Sequence, residues 1–238
     1  MKKAIVIGGT SGIGKGLAEI LLKNNYIVAI TGRRGHLLNE LKSNFKEKVI
    51  TLQHDVTETL SSDNKLNFIF EKLKSVDLVI VSSGFSELNQ KLNWEIESKT
   101  IQTNVNGIAK VYQFVFQKFR QQGFGHLVGI SSISAVRGNR HSPSYSASKA
   151  FQANYLESLR FIAKNEKLDI DITDVQPGFV NTPMAKGESL FWVASVNKAS
   201  KQIFNAIKRN KKKVYVTKRW ALIAFLMKIM PNWLMEKT

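Results

Sequence analysis

The chain has 238 residues, 43% of them hydrophobic, which suits one large core or two small ones and excludes a disordered chain. It has no cysteine, which excludes disulfides, thiolate metal sites and a cysteine nucleophile; its four histidines, His36, His54, His126 and His141, lack the spacing of zinc ligands. The formal net charge of +17 raises an anionic partner (nucleic acid, membrane or phosphorylated cofactor) against a merely solvated basic surface.

Met1-Lys2-Lys3 precedes only four apolar residues, Ala4 to Ile7, before glycines intervene. That run is too short for a secretory segment, so it reads as the first strand of a cytoplasmic protein. Gly8-Gly9-Thr10-Ser11-Gly12-Ile13-Gly14 follows, then a helix to Asn24 with Leu17, Ile20, Leu21 and Leu22 as its apolar face. Further strands are expected at Tyr26–Thr31, Val49–Gln53, Leu78–Val81, His126–Ser131, Ile170–Gln176 and Val214–Thr217. Helices fall between them: one marked by Leu37, Leu38, Leu41 and Phe45, then Leu66–Leu73, Thr103–Gln121 and Ser146–Asn165. This alternation predicts one doubly wound α/β Rossmann-fold domain with a parallel sheet of about seven strands. Residues 1–207 are expected to form this domain, and residues 208–238 a basic, apolar C-terminal extension with a last strand and helix.

A glycine loop between a first strand and first helix permits close backbone approach to a pyrophosphate, which the helix N-terminus then faces. Its spacing here is G-x-x-x-G-x-G. The second strand ends in Thr31-Gly32-Arg33-Arg34, and no Asp or Glu occurs between Glu19 and Glu40. Arginine in place of an acid suits a 2′-phosphate, so NADP(H) is preferred to NAD(H); the bland alternative is two solvated arginines.

Tyr145 and Lys149 form Y-x-x-x-K, one turn apart on a helix that starts near Pro143, and Ser132 lies thirteen residues before Tyr145. A cation beside a phenol favours the phenolate and lowers its pKa, giving a group able to move a proton at an alcohol or carbonyl oxygen.

With these pieces in order, the chain resembles the short-chain dehydrogenase/reductase family over roughly residues 3 to 185. The matching segments are Gly8–Gly14, Asp55-Val56, Ser83-Gly84, Asn104 in Thr103-Asn104-Val105-Asn106-Gly107, Ser132, Tyr145, Lys149, Pro177-Gly178 and Thr182. The resemblance implies an oxidoreductase acting on CH–OH groups. Tyr145 would be the general acid/base, Lys149 would lower its pKa and hold ribose hydroxyls, and Ser132 would bond the substrate oxygen. Asn104 would support a water-linked proton path to Lys149. Asp55 and Val56 would meet the adenine, while Val180 and Thr182 would orient the carboxamide. Alternatives stay open for several of these: Ser131 and Ser134 rival Ser132, Asn104 suits a helix N-cap, and Asp55 suits a turn. The chain departs from the family at Ile7, where Thr is common, and at Val81-Ser82-Ser83-Gly84, where Asn-Asn-Ala-Gly is usual.

The resemblance also makes residues 1–207 the catalytic domain and places a substrate lid over about 183–200, where Met184, Leu190, Phe191 and Trp192 would form an apolar cover, so a hydrophobic alcohol or ketone is the expected substrate rather than a sugar. The tail from Lys208 sets nine basic residues against Glu236, beside apolar Trp220 to Met230. It is too short to span a bilayer but suits peripheral contact with an anionic membrane surface, or packing against protein. No nucleic-acid motif accompanies the charge. Apolar residues in excess of one buried face on the two long helices, including Val111, Tyr112, Phe114, Val115, Phe116, Phe119, Tyr155, Leu156 and Phe161, predict a homodimer or homotetramer. The rivals to an oxidoreductase are a catalytically silent nucleotide-binding scaffold and a basic membrane-surface protein.

Overall fold

A computed structural model describes residues 1–185 and 190–235. Its seven strands, β1 (Lys3–Ile7), β2 (Ile27–Gly32), β3 (Val49–Gln53), β4 (Leu78–Val81), β5 (Phe124–Ile130), β6 (Asp169–Pro177) and β7 (Lys213–Val216), form one sheet in the order β3-β2-β1-β4-β5-β6-β7. Every neighbouring pair is parallel. The order reverses between β1 and β4, which opens a crevice at the carboxyl ends of those strands.

Alternating side chains divide the central strands between two cores. Ile5, Ile7, Val79 and Val81 pack with Leu66, Ile69, Val111 and Leu156 on one face. Ala4, Val6, Leu78 and Ile80 pack with Leu17, Leu21, Leu38 and Ile203 on the other. A strand buried on both faces needs an unbroken apolar run, and Ala4–Ile7 and Leu78–Val81 are such runs. The first core is covered by helices α3 (Thr59–Leu73), α5 (Ile108–Gln122) and α6 (Pro143–Asn165); α1 (Gly12–Lys23), α2 (Gly35–Phe45) and α7 (Val196–Ile207) cover the second.

The helix expected over 103–121 is in fact a π turn (Gln102–Gly107) followed by α5, and a further helix not expected from the sequence, α4 (Trp94–Ile101), runs directly into the turn. Helix α4 buries only Thr100, so it has no apolar stripe to betray it. Its signature lies in its cap, where Asn93 accepts from the Glu95 backbone N–H and Glu95 and Glu97 stand in the first turn.

The apolar surplus on the long helices is largely consumed inside the subunit. Val111, Tyr112, Phe114, Val115, Phe116, Phe119 and Leu156 are all buried in the first core. Covering a sheet face and packing against α3 and α6 at once takes more than one stripe of α5. Phe161 stays exposed, and Tyr155 is half-buried against Phe151 and Tyr112.

Strand β7 extends the sheet beyond β6, pairing Asp174 with Lys213 and Pro177 with Val216. Helix α8 (Trp220–Ile229) follows, then the short α9 (Asn232–Met235). Trp220 and Ala224 of α8 are buried with Ile133, and Phe179, Tyr215 and Ile223 pack around them. Gly178 is flat against the Trp220 indole, where a Cβ could not fit. Truncating Trp220 to Ala should therefore cost about 3–5 kcal/mol as a large-to-small core change. Among the described residues the indole N–H has no hydrogen-bond partner, so Trp220→Phe should cost far less. Urea unfolding of both variants reads the difference, and equal midpoints would contradict this packing.

Candidate active site

The glycine loop leaves β1 and enters α1 at the switch point. Gly8 and Gly12 adopt positive φ, 83° and 53°, a region L side chains rarely enter. A Cβ on Gly14 would strike the Gly8 carbonyl, and one on Gly8 would strike Ser83. Ser11 precedes α1 without a side-chain cap, so the first-turn N–H groups face the loop unclaimed by it. Together these form a cradle that only glycine permits, at a positive helix end. The donor set fits the diphosphate of a dinucleotide.

Arg33 and Arg34 diverge. The Arg34 guanidinium folds back over the loop, donating to Thr10 Oγ1 (2.9 Å) and Ser11 Oγ (2.7 Å). Arg33 instead lines a cavity of about 420 Å³ with Gln53, Asp55, Glu58 and Lys65. One Asp55 oxygen accepts from the Thr57 N–H (3.0 Å) and hydroxyl (2.8 Å), which fixes the carboxylate at the cavity wall and leaves its second oxygen free of that turn. Val56 is buried, its carbonyl against Gly107. This cavity is thus lined by charges of both signs, with Arg33 among them.

The catalytic candidates converge at the other end. Tyr145 and Lys149 project from α6, with the Lys149 Nζ 5.7 Å from the Tyr145 ring centroid. Tyr145 shares a hydrogen bond with Ser132. Ser132 ends β5 in extended backbone, and its Oγ also accepts from the Ser134 N–H. Ser131 is no rival: its hydroxyl turns beneath the sheet end to the Asp174 carboxylate and the Val175 carbonyl.

Asn104 sits in the π turn and is fully buried. Its side chain is no helix cap. The Oδ1 accepts from the Phe85 N–H (2.8 Å), and the Nδ2 donates to the Phe85 carbonyl (2.8 Å) and Ser148 Oγ (3.1 Å). This braces the chain after β4, where Val81 and Ser82 stand at the positions of the family's two asparagines. Gly84 lies so close that a Cβ there would stand 3.5 Å from Asn104 Oδ1, 3.6 Å from Lys149 Nζ and 3.8 Å from Met184 Cε.

Lys149 is 3% exposed and donates to the Ile130 carbonyl and to Gln152 Oε1, both at 3.0 Å. Burial pulls its pKa down to about 8, against a smaller upward pull from Asp174. Tyr145 does not show the lowered pKa expected from a neighbouring lysine. Burial of the phenol raises it, and the Ser132 hydrogen bond offsets only part of that rise. The lysine lies over the ring rather than at the hydroxyl, and with a pKa of about 8 it has lost its charge before this phenol titrates.

Pro177 and Gly178 close β6, with the Gly178 N–H bonded to the Val216 carbonyl (2.7 Å). The chain then returns to the glycine loop. Val180 bridges Ala194, and a Cβ on Gly12 would stand 3.1 Å from Thr182 Cγ2. Met184, Leu190, Phe191 and Trp192 follow along the same rim, while 186–189 lie outside the described residues. Phe191 and Trp192 stack with Phe179 and Trp220, and Arg219 lies 4.8 Å over Trp192 and donates to its carbonyl. Gln152 and Thr57 are site residues that the motifs do not reveal: each acts on a motif residue from one turn or two residues away.

Residues 2–191 match the short chain dehydrogenase family model. A Myxococcus xanthus protein described as an uncharacterized oxidoreductase is 31% identical over 188 residues, 77% of this chain and 74% of that one. A short-chain dehydrogenase from Streptomyces avermitilis has the same fold, with TM-score 0.82 at 20% identity over 96% of this chain and 92% of its own. So does ElxO with NADP bound, with TM-score 0.79 at 23% identity over 90% of this chain and 96% of its own. A crevice with a glycine cradle at one end and a Ser-Tyr-Lys cluster at the other defines a dinucleotide-dependent oxidoreductase, and the chain belongs to the short-chain dehydrogenase family. It is an enzyme of the class that acts on CH–OH groups with a nicotinamide cofactor.

The buried ammonium gives a direct readout. In cofactor-free protein, Lys149 should lose its proton near pH 8, below the ordinary lysine value of 10.5. Nitrogen-detected NMR of the lysine ζ position, assigned with Lys149→Met, measures this. An ordinary titration would mean that the ammonium is solvated.

Proposed function

We propose that the protein is an NADP(H)-dependent oxidoreductase that interconverts an alcohol and a carbonyl on a hydrophobic substrate. The observation that carries this reading is the joining of Ser132, Tyr145 and Lys149 beside Gly84, one crevice away from the glycine cradle. A silent scaffold has no use for a buried, desolvated lysine beside a tyrosine–serine pair, because burying that charge costs stability and returns none.

The nicotinamide, when bound, supplies or accepts the hydride. The residues of the chain handle the oxygen. With its pKa raised by burial, Tyr145 is protonated at neutral pH and serves as the acid that protonates the carbonyl oxygen during reduction. Ser132 Oγ donates to the same oxygen and stabilises the charge that develops on it. Two of the three Lys149 donors are engaged by Ile130 and Gln152, which leaves one for a ribose hydroxyl. Thr10, Ser11, Ile13 and the glycines hold the diphosphate, Ser83 and Gly84 flank the adenosine path, and Val180 and Thr182 orient the carboxamide. The Pro177-Gly178 turn sets their position. Met184, Phe191 and Trp192 supply the apolar cover that favours a hydrophobic substrate.

Arg33 is the main 2′-phosphate ligand in this reading. It faces the cavity and forms no ion pair among the described residues, while Arg34 is already engaged by the loop hydroxyls. Binding of NADP by ElxO, a neighbour in fold, supports the same choice; NAD(H) is the weaker ligand. Screening apolar ketones and aldehydes against NADPH absorbance should find turnover. Tyr145→Phe should reduce it by roughly 10²-fold or more while NADPH still binds. Arg33→Ala should weaken NADPH about tenfold or more and leave NADH unchanged. Wild-type turnover by Tyr145→Phe would end the mechanism, and equal affinity of wild type for both cofactors would end the NADP assignment.

The tail supports peripheral contact with an anionic membrane surface on the cytoplasmic side. Leu222, Phe225, Leu226 and Ile229 are exposed at i, i+3, i+4 and i+7 of α8, opposite the buried Trp220 and Ala224, and Trp233 is exposed on α9 beyond Pro231. Lys218, Arg219 and Lys228 border this stripe. Lys208–Lys213 do not: they enter β7 at the far end of the sheet, separated from α8 by a strand that rises about 3.3 Å per residue. Among the described residues no helix is long and apolar enough to cross a membrane. Assembly as a homodimer or homotetramer now rests on the outward flank of α6, with Phe151, Tyr155 and Ile162, and on exposed Phe161. Intact protein should co-sediment with phosphatidylserine vesicles at low salt, and Phe225→Glu/Ile229→Glu should stay in solution with unchanged turnover of a soluble substrate. If wild type ignores the vesicles and the double variant instead changes oligomeric state by light scattering, the stripe is a subunit contact.

A further inference from the structure

We propose that Gln152 is a positioning residue that anchors the Lys149 ammonium to the π turn and occupies the gap through which water would otherwise link Lys149 to the Asn104 carbonyl. Its amide bridges the two groups. The Oε1 accepts from Lys149 Nζ at 3.0 Å and the Nε2 donates to the Asn104 carbonyl at 2.8 Å. Gln152 is 1% exposed. It lies one turn after Lys149 on α6, on the same face.

The orientation of this amide is forced. An ammonium only donates and a carbonyl only accepts, so the carboxamide oxygen must face Lys149 and its NH2 must face Asn104. A residue inserted into a helix leaves a carbonyl without its usual partner, and Gln152 satisfies the one at Asn104. Two consequences follow. The bridge, with the Ile130 carbonyl, takes two of the three Lys149 donors and points the third into the site. A carboxamide has no proton to pass on near neutral pH, so the proton spent by Tyr145 is not replaced through Asn104. It returns from the open side of the crevice, where the ribose and substrate lie.

This inference rests on the proposed role of Lys149, but its structural content can be read without turnover. The charged or titratable groups that act on Lys149 are Tyr145 on its own helix and Asp174 on β6. The π turn and the Gly84 segment present neutral Asn104, Phe85 and glycine. Asp174 is itself held by Ser131 and Gln176. Gln152 is therefore the one member of the shell whose exchange changes the polarity at Nζ and touches neither Tyr145 nor the glycine loop.

The test compares Gln152→Met and Gln152→Glu in cofactor-free protein by lysine ζ-nitrogen NMR. Met keeps the length and removes the acceptor; it should move the Lys149 titration down by about one pH unit. Glu sets a carboxylate at the same distance and should move it up by about as much. With NADPH and a ketone substrate, kcat of the Met variant should fall about tenfold, with the substrate KM little changed and the alkaline limb of the pH profile displaced to lower pH. Opposed shifts in the two variants support the proposal even if no carbonyl substrate is turned over, a result that would sink only the oxidoreductase reading. Unshifted titration in a folded variant, judged by its thermal melt, overturns the proposal. If Gln152→Met does not fold, the Glu variant decides alone.

Discussion

The site is arranged around a buried ammonium. Removing Lys149 from water costs several kcal/mol unless hydrogen bonds replace its hydration. The fold supplies these from three directions: the Ile130 carbonyl at the end of β5, the Gln152 amide from α6, and behind that amide the Asn104 carbonyl of the π turn. Each donor or acceptor comes from an element whose position is set by the sheet. The crevice between β1 and β4 places Gly84 against the same nitrogen, so a side chain there would fill the space a ligand needs. The catalytic cluster is thus a consequence of how a cation is kept dry, and Tyr145 shares the cost by having its own pKa raised.

Most of the fold is legible in the sequence because its central strands are buried on both faces. Leu78–Val81 is recovered with its observed bounds and Ala4–Ile7 lies within one residue of β1, since two-sided burial leaves an unbroken apolar run that turns interrupt sharply; the edge strand Val49–Gln53 is recovered from Val49, Ile50 and Leu52 instead. Helix α4 is hidden for the opposite reason. It packs little, so its only sequence trace is a cap, Asn93 with Glu95 and Glu97. The π turn is hidden because its cause is tertiary: Asn104 bonds both backbone groups of Phe85 across the crevice. A periodicity that treats 103–121 as one helix cannot register an inserted residue.

The site residues that the motifs name are brought to one crevice, yet their partners were not legible. Spacing distinguishes Ser132 from Ser131, but only the structure shows why: Ser131 serves Asp174. The pair Arg33-Arg34 reads as two equivalent charges, whereas the backbone at a strand end sends successive side chains to opposite sides. One arginine closes over Thr10 and Ser11, and the other faces the cavity. The expected lowering of the Tyr145 pKa fails on magnitude. Burial acts on both partners of the pair, and a lysine that loses its proton near pH 8 carries no charge by the time the phenol titrates above its ordinary value of 10.0.

Trp220 ties the last part of the chain to the first. It lies on Gly178, in the turn that leads to Val180 and Thr182, and it stacks with Phe179 and Phe191 at the rim. Arg219 fastens Trp192 from the next position. The outward stripe of α8 and the apolar rim of the crevice are therefore two faces of one packed unit, joined through a single indole. Any surface that engages Phe225 and Ile229 loads the helix that carries Trp220, and through it the turn that positions Thr182 beside the glycine loop. A helix packed on its own domain alone would need only its Trp220–Ala224 face to be apolar. The second, outward stripe is left out of the core formed by the described residues, so the same helix that holds the rim through Trp220 also carries an apolar surface to solvent.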